Sequence, residues 1–400
     1  MSNFDIVVAG GGPAGIAAAI TAARAGARVL LAERGRYPRQ KVCGEFISAE
    51  SLDLLRSLLD GSPHALDALE QAPRIDRARV FVGGRRFEAR IAPAAASLAR
   101  YDLDALLWSA AEKAGVDARQ NVEIISLECW RPAAPGGPML TTSHEGRARH
   151  AKDSAIQLRG ENGIETIKAA AIVNAAGRSS RLSPQAAGDK WIGLKAHFRP
   201  VHDAASLSTD LYCFDGGYCG VQPVRCGDEV LVNACALVRP GRARTMDEVL
   251  ACHTHLREAS REWEQACDTV TTGAVSFRKP QTERDGAFLA GDAAGFIDPF
   301  VGDGIAIALR SGSMAGEIAA KVAQGKIRLE EGLALYGQRY HAAFDGAFRN
   351  ARRLRRMLEL PAAPRAALLA LMKMPGVAEM VVRSTRSKAV PNERPAGCPS

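Results

Sequence analysis

The stretch Phe4-Asp5-Ile6-Val7-Val8-Ala9-Gly10-Gly11-Gly12-Pro13-Ala14-Gly15, continued by Val29-Leu30-Leu31-Ala32-Glu33, decides the fold. It reads as an apolar strand, a glycine turn, a small-residue helix and a second strand ending in a carboxylate, the order of a nucleotide-binding βαβ unit. Gly10 permits the tight turn, Gly12 lets the backbone approach a pyrophosphate, and Gly15 lets the helix lie close on the sheet. The helix N-terminus offers free N–H groups and a partial positive charge to an anion. Glu33 follows Gly15 by 18 residues, the distance that reaches the ribose hydroxyls of an adenosine. A bare Gly-x-Gly-x-x-Gly also occurs in loops that bind nothing. The strand before it, the alanine-rich helix after it and the terminal acid in register distinguish this chain from that reading.

Four hundred residues, 47% of them apolar, suffice for a large core and for two domains rather than one. Nine cysteines with no CxxC pair, and no cleavable signal segment at the start, predict a reduced, cytoplasmic protein. No apolar run reaches the roughly 18 to 20 residues of a bilayer span. The net charge of +8 is uneven, because residues 321–400 carry 15 Lys and Arg against 6 Asp and Glu, most densely at Arg352-Arg353-Leu354-Arg355-Arg356. This run reads as a solvated helical face; peripheral contact with an anionic membrane surface or an acidic partner is the alternative. Nucleic-acid binding is not expected, since no aromatic-interleaved basic module accompanies the charge. No spacing of His, Cys, Asp and Glu makes a metal site.

The pattern along the chain predicts an α/β fold. A three-layer nucleotide-binding domain holds an inserted α+β substrate domain with a mainly antiparallel sheet, and a helical region follows. The segments are 1–75, 99–181 and 281–330 for the nucleotide domain, 76–98 and 182–280 for the substrate domain, and 331–400 for the helical region. A polar, turn-prone stretch, Arg36 to Glu45, interrupts the first segment and could cross the bound dinucleotide. Helices are expected at about 101–115 and 246–265, a short strand at Val122–Ile125, and an exposed tip at 132–137. The chain returns to the nucleotide pattern at Ala287-Phe288-Leu289-Ala290-Gly291-Asp292, an apolar strand stopping at a glycine and a carboxylate.

Three separated motifs give a family resemblance. They are Gly10–Gly15 with Glu33, Lys41-Val42-Cys43-Gly44-Glu45, and Gly291-Asp292-Ala293-Ala294-Gly295-Phe296-Ile297-Asp298-Pro299-Phe300-Val301-Gly302-Asp303-Gly304-Ile305. The chain resembles FAD-dependent oxidoreductases of the geranylgeranyl-reductase-like branch, in the superfamily shared with aromatic hydroxylases and flavin-dependent halogenases. The resemblance implies FAD, with Asp292 accepting ribityl or ribose hydroxyls and the glycines after it letting backbone approach the flavin ring. Arg100-Tyr101-Asp102-Leu103-Asp104 is similar to the family segment in which Arg100 would meet the FAD phosphates while Asp104 caps or pairs within its helix. The same resemblance adds Pro13, Ala14, Arg34, Lys41, Cys43, Val122, Ala176, Gly177, Pro299, Gly302, Gly304 and Ile305 as cofactor contacts.

The middle segment Gly216-Gly217-Tyr218-Cys219-Gly220-Val221-Gln222-Pro223 is similar to a geranylgeranyl-reductase strand, with Gly220 in place of a large aromatic residue. Tyr218, Gly220 and Gln222 depart from the Trp-x-Trp-x-Ile-Pro of halogenases. Ala176-Gly177 stands where single-component hydroxylases carry Asp-Gly. Direct reduction by NADPH or NADH would therefore be transient, or a separate flavin-reducing partner would supply the electrons. The leading expectation is reduction of a C=C bond in a hydrophobic small molecule; the alternative is a monooxygenase that hydroxylates or epoxidises its substrate. The substrate could be free or attached to a carrier protein. Candidate catalytic residues are Cys43, Glu45 and Tyr218. Cys43 could donate a proton or simply fill a turn, Glu45 could orient substrate or cap a local helix, and Tyr218 could donate a proton or form a core wall. His197 could act as a base only if it faces the flavin; a sheet-face hydrogen bond is its ordinary role.

Overall fold

The computed structural model describes residues 3–128, 154–178, 180–182, 190–200, 207–360 and 380. The chain opens with β1 (Asn3–Ala9), α1 (Pro13–Arg24) and β2 (Val29–Glu33), then passes through β3 (Phe46–Ile47), α2 (Ala49–Leu58), α3 (Pro63–Glu70), β4 (Arg74–Val82) and β5 (Arg85–Ser97). It returns with α4 (Arg100–Lys113), β6 (Asp117–Gln120), β7 (Glu123–Glu128), β8 (Ser154–Gly160) and β9 (Gly163–Asn174). The middle region comprises β10 (Ile192–Pro200), β11 (Ser208–Phe214), β12 (Gly217–Cys226), β13 (Glu229–Val238), α5 (Met246–Leu250), α6 (Thr254–Ala259), β14 (Trp263–Gln265) and β15 (Val270–Thr271). The last part holds β16 (Glu283–Arg284), β17 (Ala287–Leu289), α7 (Gly304–Ala323) and α8 (Leu329–Leu358).

One sheet has the order β16-β17-β9-β1-β2-β6, with β8 joining β7 to β9. The pairs β1–β2, β1–β9, β9–β17 and β2–β6 are parallel. The chain leaves β1 toward β2 on one side and β9 toward β17 on the other, so the crevice beyond the C-terminal ends of β1 and β9 is a topological switch point. Strand alternation divides the side chains: Ile6, Val8, Val29 and Leu31 face the helices, while Val7, Ala9, Leu30 and Ala32 pack against Ile156, Leu158 and Ile167. Both faces are covered, which gives the three layers.

α1 and α7 pack with almost no side chain between them. A β-carbon at Gly312 would lie 2.0 Å from Ala14 O, and one at Gly316 would lie 2.2 Å from Ala18 O. Small residues thus set the closeness of two backbones. In α8 the apolar stripe Tyr336, Tyr340, Phe344 and Phe348 repeats every fourth residue and buries its rings in the same core, each stabilising by about 1.5 to 3 kcal/mol. The Tyr336 hydroxyl donates to Leu289 O at 2.6 Å, tying the helix to β17.

The second sheet runs β14-β10-β13-β12-β11-β4-β5-β3, and β15 adds to β10. It is antiparallel except for β4 beside β11. Leu194, Ala196, Phe198, Val232, Ala234, Ala236 and Val221 turn to one face, covered by Met246, Val249 and Leu256. The register Lys195↔Cys235↔Gly220 and His197↔Asn233↔Gln222 sets the opposite face.

Two expectations are corrected here. The helix anticipated over 246–265 is two short helices, α5 and α6, followed by the strand β14. His253 ends the first turn run as the extended N-cap of α6, which breaks the helical path. Phe46–Ile47, from the segment assigned to the nucleotide domain, pairs with β5 in the second sheet. The tip at 132–137 lies outside the described residues.

Candidate active site

The glycine turn behaves as its spacing requires. Gly10 has φ +98°, and a β-carbon there would meet Ala175 O at 2.5 Å; one on Gly15 would meet Gly10 O at 1.8 Å. At Gly12, the N-cap of α1, a β-carbon would face open space. Gly291 has φ +58° and touches α1, since its β-carbon would lie 2.8 Å from that of Ala14. α1 and α7 run parallel with Ala14 beside Gly312, so α7, opening at Gly304 beside buried Ile305, begins about two turns before α1 along their shared direction. The unpaired N–H groups and positive end of α1 beside Gly12 suit an anionic pyrophosphate.

At the end of β2, buried Glu33 accepts from Gly11 N and Gly35 N, both at 2.8 Å, and from Arg39 at 2.6 Å. Burial pushes its pKa up, but Arg39 and the two amides more than offset this, so the carboxyl sits below its ordinary range. Val122 N donates to Glu33 O at 3.0 Å, whereas Arg34 is exposed. Tyr37, which the sequence did not single out, donates to Gly11 O and packs on Trp108 at 5.3 Å. Lys41 is pulled down to about 8, chiefly by burial and also by Arg39. Farther along the crevice, Gly177 has φ +74° and Ala176 N donates to Asn174 Oδ1 at 3.1 Å. Arg178 lies 3.4 Å from Asp292 Oδ2 and 4.6 Å from the Phe296 ring centre.

Beside this crevice is a buried polar cluster. The stretch from Lys41 to Glu45 lies on the face of the second sheet opposite α5 and α6: Asn233 Nδ2 donates to Cys43 O at 3.1 Å, and a β-carbon at Gly193 would press within 2.9 Å of Val42. Glu45 is fully buried with φ 58°, a conformation that costs a non-glycine residue about 1 kcal/mol or more. Its surroundings hold it there. Oε1 accepts from Lys195 Nζ at 2.5 Å and from Arg100 N at 2.7 Å, and Oε2 lies 2.7 Å from His197 Nε2. Ser97 donates to Glu45 O at 3.2 Å and receives from Gln222 at 2.7 Å. Lys195, fully buried, also donates to Gln40 at 2.7 Å. Burial raises the pKa of Glu45, but Lys195 and His197 more than offset this, so the carboxylate is held ionised. The capping role foreseen for Glu45 is realised on α4, not locally. Arg100 forms a fork with Asp104, both bonds 2.6 Å, so Asp104 does pair within its helix.

A second cluster joins three parts of the chain. Asp298 Oδ1 accepts from the Tyr218 hydroxyl at 2.9 Å and from Phe300 N at 3.2 Å. Its Oδ2 lies 2.5 Å from Arg355, whose guanidinium sits 3.3 Å over the Phe277 ring. Arg355 thus leaves the solvated face expected for its run and enters the site. Burial pushes the Asp298 carboxyl up despite Arg355, and burial pushes the Tyr218 phenol and Cys43 thiol up as well. Pro299 and Gly302, the latter at φ +69° against Phe46, shape the turn between Asp298 and α7. The cluster forms the polar corner of a cavity of about 710 Å³ walled by Trp191, Phe214, Phe300 and Leu360. At Gly220 a β-carbon would meet only Cys235 O at 3.7 Å and Leu211 at 4.0 Å. The backbone does not demand glycine there, and space is left over the sheet.

Cys43, Glu45 and Arg100 thus gather with Lys195 and His197, whereas Tyr218 belongs to the Asp298 cluster. Lys195 and Arg355 were missed. A lysine within a strand and an arginine within a basic run both read as solvated until the register is known. Among the described residues no group of His, Cys, Asp and Glu could hold a metal ion.

The sequence profile of the FAD binding domain family matches residues 3–351. Digeranylgeranylglycerophospholipid reductase 2 of Methanopyrus kandleri is 27% identical over 376 residues, covering 87% of this chain and 85% of that protein. Among solved structures, flavin-dependent brominase Bmp2 superposes with a TM-score of 0.75 at 19% identity, covering 96% of this chain and 93% of that one. A geranylgeranyl bacteriochlorophyll reductase-like protein from Thermoplasma acidophilum gives 0.74 at 21% identity, covering 96% of both chains. These two structures share the fold.

Proposed function

The chain belongs to the FAD binding domain family and is an FAD-dependent oxidoreductase, and on that premise we propose that it is a monooxygenase, hydroxylating or epoxidising a hydrophobic, electron-rich small molecule. Bound FAD supplies two electrons, usable either as hydride or to activate oxygen. The choice between them rests on the acids of the site. Saturating an alkene requires a proton at one carbon as hydride reaches the other, delivered by a side-chain acid aimed at the substrate or by a water that such a group positions. Cys43 and Tyr218 are made weaker acids by burial, and Glu45 is held as the anion. Asp298, the carboxyl pushed toward protonation, has both oxygens engaged by Tyr218, Phe300 N and Arg355. Oxygen insertion asks for less: an apolar wall that excludes water and groups that orient the substrate. Trp191, Phe214 and Phe300 supply the first, and Tyr218 with Asp298 the second.

Reduction of a C=C bond, the leading expectation from the sequence, becomes the second reading. It is supported by the reductase name of a relative that matches 87% of the chain. NADPH, NADH or a reducing partner protein would renew the flavin in either case. The test uses FAD-loaded, chemically reduced enzyme and candidate alkenes and phenols. Conversion only after admission of labelled oxygen, with one labelled atom in the product, is the expected result. A product two hydrogens heavier, formed in anoxic buffer, would establish reduction instead.

A further inference from the structure

From the arginines around the mouth of the cavity, we infer that the protein docks on an anionic lipid surface with this mouth facing the membrane. α8 exposes Arg349, Arg352, Arg353 and Arg356, spaced i, i+3, i+4 and i+7, so they share one stripe of the helix. They form no ion pair among the described residues. The stripe ends at the cavity, because Arg355, Glu359 and Leu360 line it. Met357 on the same turn packs against Val82 and Phe87, which brings the β4–β5 hairpin to the end of α8. That hairpin lines the cavity with Val82 and Gly83 and exposes Arg85 and Arg86 immediately after them. On the third side, exposed Arg239 lines the mouth, and Arg242 covers Gly216 at 3.3 Å from where its β-carbon would be.

The acids of this rim are few. Glu359 is 3.5 Å from Arg239, Glu88 is 3.9 Å from Arg86, and Asp215 lines the cavity. Positive charge therefore comes from three separate elements around one aromatic-walled opening. A charge distributed around a rim suits an extended anionic plane, whereas a compact acidic protein would be met by one focused patch. No described helix is long and apolar enough to cross a membrane, so the contact is peripheral. The inference rests on the reading that the substrate is hydrophobic: such a molecule would pass from the bilayer into the cavity without crossing water.

Flotation of the full-length, FAD-loaded protein with vesicles tests this. Binding is expected to phosphatidylcholine vesicles containing about 30% phosphatidylglycerol at about 0.15 M salt, and not to phosphatidylcholine alone. The triple variant R352Q/R353Q/R356Q should lose roughly a hundredfold in partitioning while retaining its flavin absorbance and melting temperature. Equal binding to both kinds of vesicle, no binding to either, or an unchanged triple variant would each overturn the inference. So would retention by immobilised polyglutamate, but not by anionic vesicles, at the same salt, since it would assign the stripe to an acidic protein. Vesicle binding is read without turnover, so an error about oxygenation leaves this result untouched.

Discussion

Glu45 Oε2 and His197 Nε2, from residues 152 positions apart, meet at 2.7 Å in a fully buried cluster whose cation is Lys195. The contact clamps the Lys41–Glu45 stretch to β10 and fixes its position over the second sheet. Removing one member of a buried pair leaves the other unpaired in a low-dielectric site, which typically costs 3 to 5 kcal/mol. Glu45→Gln should therefore destabilise the protein by about 3 kcal/mol at neutral pH, measured by urea unfolding. Glu45→Met combined with Lys195→Met should recover more than half of the loss. Because the folded pKa of Glu45 is depressed, its contribution is fully present above the unfolded value of about 4.3. It is lost as pH falls through the lower folded value, and wild type and Glu45→Gln should converge in that acid range.

Asp292→Ala should weaken FAD retention more than Cys43→Ser. Asp292 closes β17 at the nucleotide crevice, whereas Cys43 lies on the second sheet. Loss of a charged hydrogen-bonding group costs about 1.5 to 3 kcal/mol, or roughly a tenfold to hundredfold rise in Kd. Equilibrium flavin titration of both folded variants separates them; equal retention would count against this assignment.

Gly312→Val should separate α7 from α1, whose N-terminus opens at the glycine turn. Its β-carbon would lie 2.0 Å from Ala14 O, an overlap with backbone that no rotamer relieves. A loss of about 3 kcal/mol in stability is expected, together with weaker FAD binding. Calorimetry with and without added FAD measures both. Unchanged affinity in the folded variant would show that the closeness of α7 to α1 is not critical for FAD binding.

Arg355→Met should leave Asp298 buried without its cation and cost about 3 kcal/mol at neutral pH. The Asp298 carboxyl is already pushed up by burial, and the variant pushes it further. A raised carboxyl favours the folded state at low pH and loses that advantage as pH rises through the folded pKa. The deficit of Arg355→Met should therefore shrink on acidification. Unfolding curves of wild type and variant taken from acid to neutral pH decide it.

Gly220→Phe should fill the space over β12 without unfolding the sheet. Turnover of the native substrate should fall at least about tenfold through a higher KM, with FAD affinity and melting temperature little changed. An unaltered KM would place the substrate elsewhere.

The nucleotide unit was legible because each feature is local: the glycine spacing, the apolar strand and the terminal Glu33 act within one βαβ turn. That Asp104 pairs within its helix was legible for the same reason, as an i, i+4 contact, but its partner is Arg100, which the family resemblance assigns to the FAD phosphates. Lys195 and Arg355 were not. Each is charged, and each owes its burial to residues far along the chain, Glu45 for one and Asp298 for the other. The single helix expected over 246–265 failed at His253, where an extended residue breaks a pattern that periodicity alone would continue.

The contact of α1 with α7 has a consequence for how the protein comes off the ribosome. Ala14 and Ala18 wait for Gly312 and Gly316, which are translated almost 300 residues later. At about 5 to 20 residues per second, the interval is tens of seconds. During it, the nascent N-terminal unit has an uncovered helix face and lacks the Asp292 segment proposed to hold the cofactor. FAD capture is thus a late event, and the newly made chain must be kept from aggregating until its own distal helix arrives.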